Sequence, residues 1–285
     1  MNYRVIARLD IKGPNLVKGI HLEGLRVLGA PEDYAKFYYE NGIDELIYQD
    51  VVASLFERNR LTEIISRTAS ATFIPLTVGG GLRTVDDIRG ALRAGADKVS
   101  LNTMTIRNPQ LIRDAAREFG SSTIVVAIEA IKSQSGDYFA YIDNGREETG
   151  VEVLSWARKV EELGAGEILL TSVDRDGTGE GYDLELIDLV ASHVDSPVIA
   201  HGGAGKALDA THAVGAGAAA VALASILHYK IVESKAFASE IGSKEGNTVF
   251  LQNSSELSRI QACSVGDVKD CLLGAGFNCR TIANV

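Results

Sequence analysis

Three features of this 285-residue sequence predict a (β/α)8 barrel assembled from two like halves: short apolar runs alternating with longer amphipathic segments, small polar residues where the runs end, and an internal repeat at one fixed offset. A run that is apolar throughout, rather than at alternate positions, is how a parallel strand buried on both faces reads. Such runs fall near 4–10, 44–50, 73–78, 97–101, 123–129, 167–172, 197–201 and 219–223, and Gly, Asp, Asn, Ser or Thr recurs at their ends.

The repeat organises these runs. Gly42 to Ile47 lies on Gly164 to Leu169, 122 residues later (164 − 42), and the same offset carries Ile74 to Gly81 onto Ser196 to Gly203 and Gly95 to Thr103 onto Gly217 to Ser225. Two half-barrels of four βα units each explain a register that needs no gap, whereas a doubly wound open sheet has no reason to repeat in this way.

With 46% hydrophobic and 23% charged residues the chain can bury a sizeable core, and a single barrel domain over 1–285 is expected. The polar stretch at about 243–263 reads as an insertion before a closing helix, Val265 to Ala275. A second excursion, Ile131 to Thr149, holds Asp143-Asn144-Gly145, a hairpin signal on the side of the barrel where active sites form.

A net charge of −10 and a pI near 5.1 exclude a nucleic-acid binder or one of anionic membranes, because no excess of Lys and Arg meets the phosphates. No apolar stretch approaches the roughly 20 residues of a membrane span, and Met1 to Arg4 runs into a strand without a signal-peptide core, so a cytoplasmic protein is expected. Cys263, Cys271 and Cys279 match no zinc or redox spacing and read as reduced thiols; neither a metal nor a cofactor is expected.

Two glycine runs, Val78 to Gly81 and His201 to Gly205, follow the third and seventh strands, where a barrel builds anion sites from backbone N–H groups. Gly80 and Gly81 in one half, and Gly202 and Gly203 in the other, permit close approach of a ligand. Asn102 and Thr103, and in the second half Ser225, supply side-chain donors at matching offsets. Two such cradles imply an elongated substrate with a phosphate at each end.

Asp10 closes the first strand and Glu129 the fifth, so both project from opposite sides of one barrel mouth and can divide general-acid and general-base roles. Asp50 and Asp176, the latter followed by Gly177, fit substrate positioning or plain turn chemistry. Lys18 fits anion binding or a solvated lysine.

Taken together, these residues resemble the cyclase (synthase) subunit family of imidazole glycerol phosphate synthase over about 1–242 and again over 264–280. The resemblance rests on Leu9-Asp10, Val17-Lys18-Gly19, Asp44 to Leu46, Thr77 to Gly81, Gly95 to Thr103, Gly164 to Thr178 and Gly202 to Lys206. It implies a barrel that takes ammonia from a separate glutaminase subunit. The ammonia would act on a bis-phosphate, phosphoribulosyl-formimino aminoimidazole carboxamide ribonucleotide, giving imidazole glycerol phosphate and aminoimidazole carboxamide ribonucleotide in histidine biosynthesis.

By the same resemblance Asp10 and residue 129 are the acid and base, and the phosphates fall on the two cradles. Arg4, Glu45, Lys98 and Glu167 form a charged ring that gates ammonia at the bottom of the barrel, with Asp97 near the docking surface. The chain has no cysteine before Cys263 and none at a strand-to-helix elbow, so it lacks a glutaminase nucleophile of its own.

Three positions and one loop depart from the family pattern. Glu129 stands where the family has Asp, His201 where Ser is usual and Arg8 where a small residue is found, while Lys12 to Asn15 lacks the familiar acidic residue. A cyclase-like paralogue that delivers ammonia for amidation of a surface-glycan sugar therefore stays open, as does a non-catalytic conduit that only binds a glutaminase. A related phosphoribosyl isomerase shares the two-phosphate repeat, but the Glu45, Lys98 and Glu167 ring favours the cyclase.

Overall fold

The computed structural model describes residues 2–51, 59–234 and 259–281. In chain order its elements are β1 (Arg4–Lys12), β2 (Asn15–Ile20), β3 (Glu23–Gly29), α1 (Pro31–Glu40), β4 (Glu45–Asp50), α2 (Asn59–Ala71), β5 (Leu76–Gly79), α3 (Val85–Arg93), β6 (Lys98–Leu101), α4 (Thr103–Arg107) and α5 (Gln110–Phe119). There follow β7 (Ile124–Lys132), β8 (Tyr138–Ile142), β9 (Glu147–Glu152), α6 (Val153–Glu162), β10 (Glu167–Ser172), α7 (Leu184–Ala191), β11 (Val198–His201), α8 (Leu208–Gly215), β12 (Ala220–Leu223), α9 (Ser225–Ser234) and α10 (Val265–Gly274).

Eight strands pair in parallel around a closed circuit among the described residues, β1-β4-β5-β6-β7-β10-β11-β12 and back to β1. These are the eight runs expected from the sequence, each followed by helix. The third begins at Leu76 rather than 73, since Phe73 is 80% exposed and Pro75 has no N–H for a ladder.

Alternation along the strands explains why the runs are apolar throughout. Ile6, Ile47, Val125, Ala127, Leu169, Ile199, Ala220 and Ala222 face inward and form a core cluster of their own. The intervening residues face outward and pack against the helices in two larger clusters.

The half-barrel repeat recurs in backbone detail. Leu46 N donates to Pro75 O and Ile168 N to Pro197 O; Asp97 N donates to Leu76 O and Ala219 N to Val198 O. A Cβ on Gly95 would lie 2.6 Å from the Ala69 Cβ, and one on Gly217 would lie 2.9 Å from that of Ala191. Each pair maps onto its mate at the sequence offset.

The excursion after the fifth strand is the expected hairpin: β7, β8 and β9 form an antiparallel meander whose tip, Asp143, Asn144 and Gly145, has φ of 55°, 58° and 75°. A second hairpin, β2–β3, was not foreseen. Its turn places His21 and Leu22 at φ of 51° and 61°, positions where Asn or Gly is the usual signal.

Helix α10 forms where the closing helix was expected, with Ser264 and Asp267 bonded reciprocally in a capping box. Lys269 Nζ reaches Asp44 Oδ1 at 2.7 Å, and Arg280 Nε reaches the same oxygen at 3.0 Å, which ties the helix to the residues leading into β4. Most of the 243–263 insertion, 243–258, lies outside the described residues. Its described end passes the second glycine run, where Gln261 N donates to Gly205 O.

Gly80 has φ of 102° and a Cβ there would run into Asp50 O; Gly202 has φ of 93° and its Cβ would lie 2.5 Å from Ser172 O, the equivalent atom of the other half. Gly80→Ala and Gly202→Ala are each expected to destabilise the fold by on the order of 2 kcal/mol or more. Gly90→Ala, in α3 with open space around it, is expected to be neutral or to stabilise by about 0.5–1 kcal/mol. Urea unfolding of the three variants measures the contrast.

Candidate active site

Inward-facing positions at the two ends of the strands carry the charges. At the N-terminal end Arg4 bridges Glu45 and Glu167, both at 2.7 Å, while Lys98 bridges the same two carboxylates at 3.2 and 2.9 Å. Two cations and two anions alternate, each with two partners, and close that end of the barrel with compensated charge. The structure thus brings together all four residues of the expected ring.

The C-terminal mouth holds a second, deeper network. Arg8 Nε donates to Asp10 Oδ1 at 3.0 Å, and Arg8 Nη1 reaches His201 Nδ1 at 3.1 Å and Thr171 Oγ1 at 3.4 Å. Because a guanidinium only donates, His201 Nδ1 must accept, and the ring proton sits on Nε2, 3.9 Å from Asp176 Oδ1. Burial, reinforced by the Arg8 and Lys18 charges, holds the His201 pKa well below the usual histidine range.

Lys18 is buried and not solvated. Its Nζ donates to both oxygens of Asp176 at 3.1 and 3.0 Å and lies 4.0 Å from Asp10 Oδ2. Asp176 also accepts from Leu22 N, and its carbonyl accepts from His21 N, so it tethers the β2–β3 hairpin across the mouth. Its reading as mere turn chemistry is too small; it is a buried junction.

Glu129 closes the inward row of β7, opposite Asp10. Its Oε2 accepts from Gly145 N at 2.9 Å, so the tip of the β8–β9 hairpin presses on the carboxylate. Burial pushes the Glu129 pKa up to about 7, against the opposing pull of the Arg8 charge, the Gly145 N–H and Asn102. A carboxyl group poised there both gives and takes a proton near neutrality.

A cavity of about 450 Å³ opens between Arg8, Glu129 and the first glycine run, and its wall includes Gly80, Gly81, Ser100, Asn102 and Thr103. Ser100 Oγ and Asn102 Oδ1 are buried there without a hydrogen-bond partner. Thr103 opens α4 as Ser225 opens α9, in keeping with the duplicated register. Gly202, Gly203 and Ser225 are buried, whereas Gly80 and Gly81 are half-buried on the cavity wall.

Arg8 and His201 stand out in the sequence only as departures from the family pattern, and nothing there announces Thr171 or the Gly145 N–H as part of this network. Parity was the available signal: once Asp10 faces the mouth, Arg8 and Ile6 share its face, and so does Arg4.

A closed barrel with duplicated glycine runs, two carboxylates at one mouth and a charged ring at the other defines a (β/α)8 barrel of the duplicated-half class. A family model described as Histidine biosynthesis protein matches residues 4–233, and the chain belongs to that family. A Legionella pneumophila protein named imidazole glycerol phosphate synthase subunit HisF is 60% identical over 205 residues, covering 72% of this chain and 97% of that protein. Proteins of the same name from Prochlorococcus marinus (strain AS9601) and Streptomyces griseus subsp. griseus are 51% identical over 80% of this chain and 46% identical over 84%, and the matches cover 90% and 96% of those proteins. Among the described residues no helix is long and apolar enough to cross a membrane.

The raised pKa of Glu129 has a stability consequence of definite sign. A carboxyl that titrates near 4.3 when unfolded and at about 7 when folded keeps a proton that the unfolded chain has lost, so stability falls as pH rises through that window and the loss is complete above it. Glu129→Gln is therefore expected to match the parent near pH 4 and to exceed it by on the order of a few kcal/mol at pH 8. Urea unfolding at the two pH values measures this; a gain independent of pH would mean that Glu129 is ionised throughout.

Proposed function

We propose that this protein is the cyclase (synthase) subunit of imidazole glycerol phosphate synthase, using ammonia from a glutaminase partner to convert the bis-phosphate ribonucleotide described above in histidine biosynthesis. The observation that carries this reading is the pair Asp10 and Glu129 at one mouth, separated by an apolar barrel interior from the Arg4, Glu45, Lys98 and Glu167 ring at the other end. Neutral ammonia crosses an apolar layer far more readily than ammonium or a larger polar molecule.

In this reading Gly80, Gly81, Asn102 and Thr103 hold one phosphate and Gly177, Gly202, Gly203 and Ser225 the other. Lys18 and Asp176 order the hairpin over the substrate. Asp10 and Glu129 exchange protons with the attacking and departing nitrogens, so that neither builds up charge away from water. The chain works as one barrel domain. Its partner docks on the N-terminal face, where Phe73, Ile74, Pro75 and Asp97 line a depression of about 330 Å³.

A second reading, a paralogue that amidates a surface-glycan sugar, is favoured by one observation: Arg8 and His201, both departures from the family pattern, are in direct contact, and the charge of Arg8 acts on Glu129, a third. Turnover of the bis-phosphate with saturating ammonium salt separates the two. The cyclase reading expects activity in the parent chain, its abolition in Asp10→Asn, a loss on the order of a hundredfold in Glu129→Gln, and tolerance of Glu129→Asp. The paralogue reading expects little activity in the parent and no rescue by Glu129→Asp. With glutamine in place of ammonium the isolated chain is expected to be inactive until a glutaminase is added.

A further inference from the structure

Two carboxylates at one mouth do not by themselves say how they divide a proton exchange, and symmetry between them would leave both half-committed. Arg8 breaks that symmetry. It occupies the third inward position of β1, between Ile6 of the apolar layer and Asp10 of the mouth, and is 3% exposed. Its guanidinium is held on two sides, by the 3.0 Å bond from Nε to Asp10 Oδ1 and by the contact of Nη1 with His201 and Thr171, and it lines the same cavity as Glu129.

We propose that Arg8 is a positioning residue that divides the work of the two carboxylates: it pins Asp10 in one orientation as its ion-pair partner and leaves Glu129 to set the pH range in which the pair exchanges protons. This rests on the catalytic pairing proposed above. The departures at positions 8, 129 and 201 then form one device. An arginine in this interior needs an acceptor beyond Asp10, which the neutral His201 supplies through Nδ1. A glutamate at 129, longer by one methylene than the family's aspartate, takes up the Gly145 N–H at the hairpin tip while staying within the field of Arg8.

The charged and titratable groups around Arg8 come from every element packed on it: Asp10 on β1, Lys18 on β2, Glu129 on β7, Asp176 after β10 and His201 on β11. Lys18 is engaged by Asp176, and His201 stays neutral, which leaves Arg8 as the cation that acts most strongly on Glu129. Asp50, Arg83, Arg107 and Asp143 stand on the rest of the cavity wall. An opposite charge at close range typically moves a carboxyl pKa by about 1–3 units, so removal of the Arg8 charge has a readable effect.

The test is a titration of Glu129 in the full-length chain labelled with 13C at the glutamate carboxyl, the signal being assigned by its loss in Glu129→Gln. Arg8→Met, which fills the space without charge, is expected to raise the proton affinity of Glu129 about tenfold or more, and Arg8→Lys to keep it within about threefold of the parent. Arg8→Gln, which can still hydrogen-bond to Asp10, gives the same reading if the methionine variant does not fold. A Glu129 midpoint unmoved in the uncharged variants, or displaced as far by lysine as by methionine, overturns the proposal. With ammonium salt and the bis-phosphate, the acid limb of the pH–rate profile is expected to rise with the Glu129 midpoint in Arg8→Met. A parent chain that titrates as expected but turns over no bis-phosphate defeats the catalytic reading and leaves the role of Arg8 intact.

Discussion

The interior of a closed eight-stranded barrel has room for side chains but none for bulk water, and every other residue of every strand must point into it. A charge placed there has to find its counter-charge among the inward residues of other strands. That constraint divides the interior into storeys. The lowest is Arg4 and Lys98 against Glu45 and Glu167, the middle is Ile6, Ile47, Leu169, Ile199 and small alanines, and the uppermost is Arg8, Asp10, Thr171, His201 and Glu129. The apolar storey insulates the other two, so each charged layer must balance its own charges.

In the upper storey the balance also organises the surroundings. Asp176 receives Lys18 from β2, the Leu22 N–H from the turn of the β2–β3 hairpin and, at longer range, His201 from β11. The β2–β3 hairpin and the buried charges therefore hold one another in place: Lys18, carried on β2, and Asp176 neutralise each other where neither meets bulk water. On the opposite rim the β8–β9 hairpin meets Glu129 through Gly145 N and Val51 O through Asn144 Nδ2. Both hairpins are anchored to the groups that line the mouth.

Strand positions, the twofold repeat, the glycine cradles and the opposed Asp10 and Glu129 were legible in the sequence because each depends on local pattern or on spacing along the chain. The β2–β3 hairpin was not, since His21 and Leu22 take left-handed backbone conformations without the residues that announce them. The burial of Lys18 was equally hidden. Its partner Asp176 lies 158 positions away, and nothing near Lys18 distinguishes it from a solvated lysine. Arg8 shows a third kind of illegibility, for its parity with Asp10 was on view, but which groups it would meet depended on how β10 and β11 came round the barrel.

The two halves differ most tellingly at a pair of equivalent positions. Gly79 ends the inward row of β5 and His201 that of β11, 122 residues later (201 − 79). A side chain at Gly79 would collide with Gln49, which lines the cavity, whereas the second half carries the imidazole of His201 at the same place, in contact with Arg8. A mouth with true twofold symmetry would accept a long ligand with like ends head-first or tail-first, and half of all encounters would present the wrong bond to the acids. On the reading proposed above, glycine set against histidine breaks that degeneracy, and gives a duplicated scaffold a sense of direction.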